Sequence, residues 1–275
     1  MSKLPLMVTL KSGNLANGDI DLDNFDQLIK KHNPKLAAIT HIPTNSGLVQ
    51  QAEEVGKICK KYETWYLLDA CQSVGQLVVD VNKIGCDFLS ATGRKFLRGP
   101  RGTGFLYISE RVISEGLEPL FIDMRGADWT AVNEYKIQMN AKRFEMWEFS
   151  HASLTGLTEA VRYANNIGIE KIYDYNQKLA NKFRERLSKI ERLQLLDRGS
   201  RLCSIITFHK RECELDQIES ILKDNKVAYT VSYKNYALID FISKGVDWAI
   251  RFSPHYFNTY EEIETVTDIL ASMEK

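Results

Sequence analysis

The sequence has no excess of either charge: 36 Lys+Arg and 36 Asp+Glu leave a formal net charge of +0. A nucleic-acid binder relies on a basic excess to neutralise phosphates, so that class is set aside. No apolar run approaches the ~20 residues that a membrane-spanning helix requires. The opening stretch, Met1 to Met7, is too short and too interrupted by Pro5 to read as a signal peptide. There are five cysteines, Cys59, Cys71, Cys86, Cys203 and Cys213, with no CxxC pair. An odd number at such spacings fits neither a disulfide framework nor a structural zinc site. Buried, reduced thiols in a cytoplasmic protein are the expectation. His151, His209 and His255 stand apart from one another and from any acidic ligand pattern, so no metal site is expected. Internal repeats and low-complexity linkers are also missing.

What is present is an ordinary globular mixture, 44% hydrophobic and 26% charged over 275 residues, enough for one large domain or a large and a small one. The first half alternates strand-like and helix-like segments. Leu36–Thr40, lying between Pro34 and Pro43, reads as a buried strand. Ala52–Tyr62 reads as a helix with Val55, Ile58 and Cys59 on one face. Trp65–Leu68 and Cys86–Ser90 are further strands, and Gly102–Ile108 is another, perhaps antiparallel. Strand, helix and strand in succession favour a mainly parallel α/β sheet. The second half changes character. A long helical stretch from Ser153 to Ile190 breaks near Gly168, followed by strands at Cys203–Phe208 and Lys226–Ser232 around a helix at Glu214–Lys223. In Val246–Phe252, residues 246, 248, 250 and 252 share one face and Asp247, Ala249 and Arg251 the other. Thr259-Tyr-Glu-Glu262 opens the last helix with a capping-box pattern. The expected division is a large domain over residues 1–150 and a smaller α+β domain over 151–275.

Ligands of open α/β sheets collect at the carboxyl ends of the strands. Three polar clusters lie at such ends: Thr44-Asn-Ser-Gly47, Asp69-Ala-Cys-Gln72 and Thr92-Gly-Arg-Lys95. They suit a ligand bearing a phosphate, a ring nitrogen and a carbonyl. Lys95 reads either as an amine activated by apolar neighbours and nearby cations or as one more surface lysine. Asp69 ends an apolar strand, where a carboxylate needs a partner or serves as a turn cap. Gln72 follows at a spacing that reaches the same ligand, or it bonds backbone in a turn. The Gly99–Gly104 run is not a P-loop and reads as a tight turn. Arg251 suits a carboxylate, or pairs with an acid. His41 reads as a satisfied strand-end histidine.

The stretches Leu67-Leu-Asp-Ala-Cys-Gln-Ser-Val-Gly-Gln76 and Cys86-Asp-Phe-Leu-Ser-Ala-Thr-Gly-Arg-Lys-Phe-Leu-Arg-Gly-Pro-Arg-Gly-Thr-Gly-Phe105 resemble the core signature of the class V aminotransferases. The Thr-Gly-Arg-Lys version is similar to the branch of isopenicillin N epimerase-like proteins and hercynylcysteine sulfoxide lyases. His41-Ile-Pro-Thr-Asn-Ser-Gly-Leu-Val49, Arg143-Phe-Glu-Met-Trp-Glu148 and Arg251-Phe-Ser-Pro-His-Tyr-Phe-Asn-Thr259 follow the same family in order. The resemblance implies the pyridoxal 5'-phosphate (PLP)-dependent transferase fold type I, here a partial large domain plus a smaller C-terminal α+β domain. It further implies PLP chemistry on an amino acid, by transamination, epimerisation or C–S cleavage, and a homodimer. It assigns Lys95 to the Schiff base and to proton movement at the substrate, and Asp69 to the pyridinium nitrogen. Gln72 falls near the ring's phenolic oxygen, Thr92 and Arg94 at the phosphate, Asn45 beside the ring or substrate, and Arg251 at the substrate carboxylate.

Three departures accompany it. Family members carry more chain ahead of the Leu36 strand, including a phosphate loop and a ring-stacking side chain, and Leu10–Lys31 does not replace them. A truncated or split member is therefore expected, with a non-catalytic scaffold or one half of a split enzyme as alternatives to a stand-alone catalyst. Family cysteine desulfurases place a persulfide-forming Cys between the last two strands, but Ser232–Lys244 contains none. After Arg143-Phe-Glu145, Trp147 and Glu148 stand where other members use glycine and threonine toward the neighbouring subunit's phosphate.

Overall fold

The computed structural model describes residues 15–273; the reading of Met1–Met7 and the first residues of Leu10–Lys31 fall outside them. The described chain begins with α1 (Leu22–His32). Asp21 caps it by accepting from the Asn24 amide, and Asn33 ends it in a left-handed conformation. β1 (Leu36–Thr40), α2 (Ala52–Lys61), β2 (Trp65–Asp69), the short α3 (Val81–Ile84) and β3 (Phe88–Thr92) then alternate, and β4 (Gly104–Ile108) turns back. β1, β2 and β3 pair in parallel and β4 closes the sheet antiparallel, in the order β1-β2-β3-β4.

The helices pack on one face of this sheet. Phe25, Ile29, Val55 and Cys59 meet Tyr66, Leu68, Leu89 and Ala91 there in a continuous core. The opposite face is covered only in part: Trp65, Phe88 and Ile108 pack there under Val112, Ile113 and Phe144, and the rest is open. Leu36 and Leu106 on it are 49% and 44% exposed, and Ala38 and Thr40 are exposed as well. β1 was expected as a buried strand. It is instead an edge strand covered on one side, so its alternation leaves Leu36, Ala38 and Thr40 outward.

α4 (Glu110–Ser114) leads into a hairpin of β5 (Ala127–Ala131) and β6 (Glu134–Ile137), and a 3-10 turn at Ala141–Phe144. Arg143 of that turn is fully buried, donating to the Gln138 and Leu117 carbonyls at 2.9 Å. It braces the arm from inside.

α5 (His151–Ile167) and α6 (Ile169–Leu187) meet at Gly168, where the expected break falls. β7 (Leu193–Leu195), β8 (Ile206–Lys210), α7 (Leu215–Asp224), β9 (Thr230–Tyr233), α8 (Leu238–Lys244), β10 (Trp248–Phe252) and α9 (Tyr260–Ser272) complete the chain. β8 starts three residues later than expected, because Cys203–Ile205 leave the ladder to pack against the first sheet's turns. The second sheet runs β7-β8-β10-β9, all antiparallel. Its apolar face, with Phe208, Ile250 and Phe252, packs on Phe183 and Leu187 of α6, Ile218 and Leu222 of α7, and Ile263 and Leu270 of α9. Thr259 and Glu262 form the expected capping box.

The two halves are stitched below the strand ends. Ile42, Val49, Leu77 and Phe96 share a core with Cys203 and Ile205. Gln76 Oε1 accepts from the Ser204 hydroxyl at 2.8 Å, and Asp197 accepts from the Gly47 amide at 2.9 Å. Among the described residues no helix is long and apolar enough to cross a membrane.

Candidate active site

β1 and β2 end side by side, Thr40 pairing with Asp69, and β3, which pairs Ser90 with Asp69, runs on to Thr92. The loops that follow build the crevice. After β2 the chain turns sharply over residues 70–76. The Asp69 side chain accepts from the Cys71 amide at 3.0 Å, and Gln72, 6% exposed, donates to the Thr44 hydroxyl at 3.1 Å. After β3, Gly93 donates to Thr103, Gly99 donates to Gly93 and Arg98 donates to Lys95, which closes a compact turn around the lysine. Phe96 and Leu97 are buried in two separate clusters, the first with Ile42 and Cys203, the second with Leu157 and Ile172. Each anchors one side of the segment, leaving Lys95 half-buried at its head.

The two loops approach closely at Gly75, which has φ +95°. A Cβ there would lie 2.5 Å from the Phe96 carbonyl carbon. Only glycine fits, so this position fixes how near the Asp69 turn comes to the lysine turn.

The Lys95 amine is held below the ordinary lysine value. Burial is the main cause; Cys71 and Asp69 pull it up, and Arg94 and Arg251 push it down. Asp69, Cys71, Arg94 and Arg251 thus all act on one nitrogen. Arg94 is exposed, and Thr92 closes β3 with its hydroxyl 3.4 Å from the Thr103 carbonyl. Asn45 is half-buried in the loop after β1. Arg251 arrives from β10 of the second sheet, and its Nη1 donates to the Thr44 carbonyl at 2.8 Å. Its Nε is buried and has no partner among the described residues. An orphaned guanidinium N–H costs free energy unless an acceptor reaches it, so this nitrogen fits an anionic ligand. The structure brings Asn45, Asp69, Gln72, Thr92, Lys95 and Arg251 onto one rim; Arg94 borders it from solvent. A lowered amine, a strand-end carboxylate, hydroxyl and amide donors, and two guanidinium groups fit a phosphorylated, nitrogen-bearing aldehyde.

Two residues of this region stand differently from what the sequence suggested. Cys71 is half-buried rather than buried, its thiol 3.9 Å from the Ser90 hydroxyl, and burial raises its pKa. Its place two residues after Asp69 was the available signal. Cys213 is also half-buried, whereas Cys59, Cys86 and Cys203 are buried as expected. The second residue is His255, whose ring reaches the Phe96 carbonyl at 3.0 Å. Nothing in its local sequence marks a partner so distant in the chain. His41 behaves as expected: it is buried, hydrogen-bonded to Ser73 at 3.0 Å, and its pKa is pushed down to about 4 by burial and by Arg201. Ser232–Lys244, the stretch between the last two strands, forms the end of β9, a 3-10 turn and α8, because Phe241 is buried against Leu196 and Val246.

A family model described as aminotransferase class-V matches residues 7–266. A protein of Methanothermobacter thermautotrophicus named probable cysteine desulfurase is 31% identical, with 86% of this chain matched to 60% of that one. A probable cysteine desulfurase of Pyrococcus abyssi is 29% identical over 94% of this chain and 64% of its own length. Among solved structures, the apo cysteine desulfurase of Thermococcus onnurineus superposes with a TM-score of 0.84 at 28% identity, covering 95% of this chain and 64% of the other. The Escherichia coli cysteine desulfurase CsdA gives 0.85 at 17% identity, covering 96% and 64%, a likeness of fold alone. The chain thus spans less than two thirds of the length of these relatives.

Proposed function

The chain belongs to the aminotransferase class-V family, whose fold type I architecture it shares, and from that premise we propose that it binds PLP and acts at the α-carbon of an amino acid. The observation that carries this reading is the setting of Lys95: a half-buried amine, lowered by desolvation and faced by Asp69, Arg94 and Arg251. The family uses PLP, and when bound this coenzyme supplies an electron sink for charge that develops at the α-carbon.

The chain's own residues supply the rest. Lys95 would hold the coenzyme covalently; once released, its lowered basicity suits it to take and return the α-proton. Asp69 would balance a protonated ring nitrogen, with Gln72 beside the ring oxygen. Thr92 and Arg94 would hold the phosphate, and Asn45 would border the ring or the substrate. Arg251, with its unpartnered Nε, would bind the substrate's carboxylate. Of transamination, epimerisation and C–S cleavage, the names of the relatives favour C–S cleavage. The cysteine-free Ser232–Lys244 segment argues against a persulfide held there. Two copies would associate through the arm, where Leu120, Phe121, Trp129 and Val132 are each at least 80% exposed.

The test is absorbance. Purified chain mixed with PLP should develop a band that disappears in Lys95→Ala, and a cysteine-like amino acid should alter it. No lysine-dependent band rejects the proposal. The open sheet face favours a second reading, in which the chain binds the coenzyme but turns substrate over only when further polypeptide covers that face. A lysine-dependent band with no turnover, restored by an added partner segment, would select it.

A further inference from the structure

We infer that His255 is a positioning residue for the segment that carries Lys95, acting through one hydrogen bond to the Phe96 carbonyl. The inference deepens the reading of Lys95 as the reactive amine and rests on it for its functional meaning.

His255 lies in the turn after β10, four residues beyond Arg251, and is 3% exposed. Its backbone is pinned on both sides by Asn258: the His255 amide donates to Asn258 Oδ1 at 3.0 Å, and the Asn258 amide donates to the His255 carbonyl at 2.8 Å. The ring sits edge-on to Phe96 at 5.1 Å. Nε2 is 3.0 Å from the Phe96 carbonyl, and Nδ1 is 2.9 Å from Asn176 Nδ2 on α6.

These partners select one tautomer. A carbonyl only accepts, so Nε2 carries the hydrogen; an amide nitrogen only donates, so Nδ1 offers its lone pair. A neutral ring satisfies both contacts, in agreement with burial and the nearby Arg98 charge, which push the pKa down to about 4.

The geometry around Phe96 gives this bond its significance. One peptide group is gripped from two sides, by the His255 ring and by the backbone at Gly75, where any Cβ would collide with Phe96. Gly75 belongs to the turn that begins at Asp69. Phe96 follows Lys95, and His255 follows Arg251. The carboxylate, the amine and the guanidinium that face one another across the crevice are therefore braced through a single carbonyl. Without the Nε2 donor that carbonyl is buried and unsatisfied, and the lysine turn gains freedom at the cost of productive geometry.

The experiment is amide hydrogen exchange on the chain without added coenzyme. His255→Phe keeps the aromatic packing and removes the donor; His255→Gln restores an N–H at similar reach. The Arg98 and Gly99 amides, which close the lysine turn, should exchange about tenfold faster in His255→Phe and return near the unaltered rate in His255→Gln. Amides of the β8–β10 ladder should stay unchanged in both. Unchanged exchange of Arg98 and Gly99 in His255→Phe overturns the inference, as does acceleration spread equally over the whole chain. Should His255→Phe fail to fold, the 15N spectrum of the imidazole in the unaltered chain decides. An Nε2–H tautomer supports the bond and an Nδ1–H tautomer rejects it. None of these measurements involves PLP, so a missing coenzyme band would sink the functional reading alone.

Discussion

Arg251 and Thr44 are joined by a 2.8 Å hydrogen bond from the guanidinium to the Thr44 carbonyl, which ties the second sheet to the loop at the end of β1. The bond uses one edge of the fork and leaves the buried Nε without an acceptor among the described residues. Lysine has no such fork. Arg251→Lys is therefore expected to weaken carboxylate-bearing substrates by about 2–3 kcal/mol, on the order of 100-fold in KM, while PLP binding stays intact. Steady-state kinetics alongside a PLP titration checks both halves.

The charges around Lys95 predict the direction of two further substitutions. Asp69 holds the amine up, so Asp69→Asn should lower its pKa further; Arg94 pushes it down, so Arg94→Gln should raise it. The measurement is the pH dependence of reductive methylation at Lys95 without coenzyme. Shifts of the same sign in both variants would contradict the arrangement.

Two buried histidines make the fold sensitive to acid. His41 and His255 each fall from 6.5 to about 4 in the folded chain. A depressed histidine favours the unfolded state once protons bind there first. Its stabilising contribution is thus complete above about pH 6.5 and is lost as the pH falls toward 4. Each therefore costs up to about 3 kcal/mol of stability by the acid end of that window. Urea unfolding at pH 7 and pH 4.5 should show a marked drop in midpoint, smaller in a His41→Gln variant.

Gly75→Ala places a methyl against Phe96 on a backbone at φ +95°. Strain and overlap together should cost about 2–4 kcal/mol. A lowered unfolding midpoint with weaker PLP uptake is the expected result, whereas alanine at Gly102, also at positive φ (+80°) but with nothing near its Cβ, should carry the backbone strain without the overlap and cost less.

The parts of this fold that local pattern dictates were legible in the sequence. The break at Gly168, the capping box at Thr259 and the parallel run of β1 to β3 follow from glycine, hydroxyl and apolar spacing. So did the grouping of Asp69, Gln72, Thr92 and Lys95, since each ends a strand or follows one closely. Relations set by tertiary packing were not legible. The late start of β8 depends on Cys203 and Ile205 packing on Leu77 and Phe96, and the helix in Ser232–Lys244 depends on where Phe241 is buried. The His255 contact with Phe96 spans 159 positions, and no periodicity announces such a pair. The arm around buried Arg143 carries no regular pattern at all, because one guanidinium bonded to loop carbonyls organises it.

The uncovered side of the first sheet has a colloidal consequence. Leu36 and Leu106 lie on it close to half exposed, at the two outer strands. Among the described residues neither outer strand has a partner on its free edge, and such an edge is one that other chains can extend. Concentrated samples should therefore thicken into assemblies through that side. A fluorescent dye that favours greasy surfaces should brighten on the folded protein, and lysine substitutions at 36 and 106 should quench the glow and keep the solution clear.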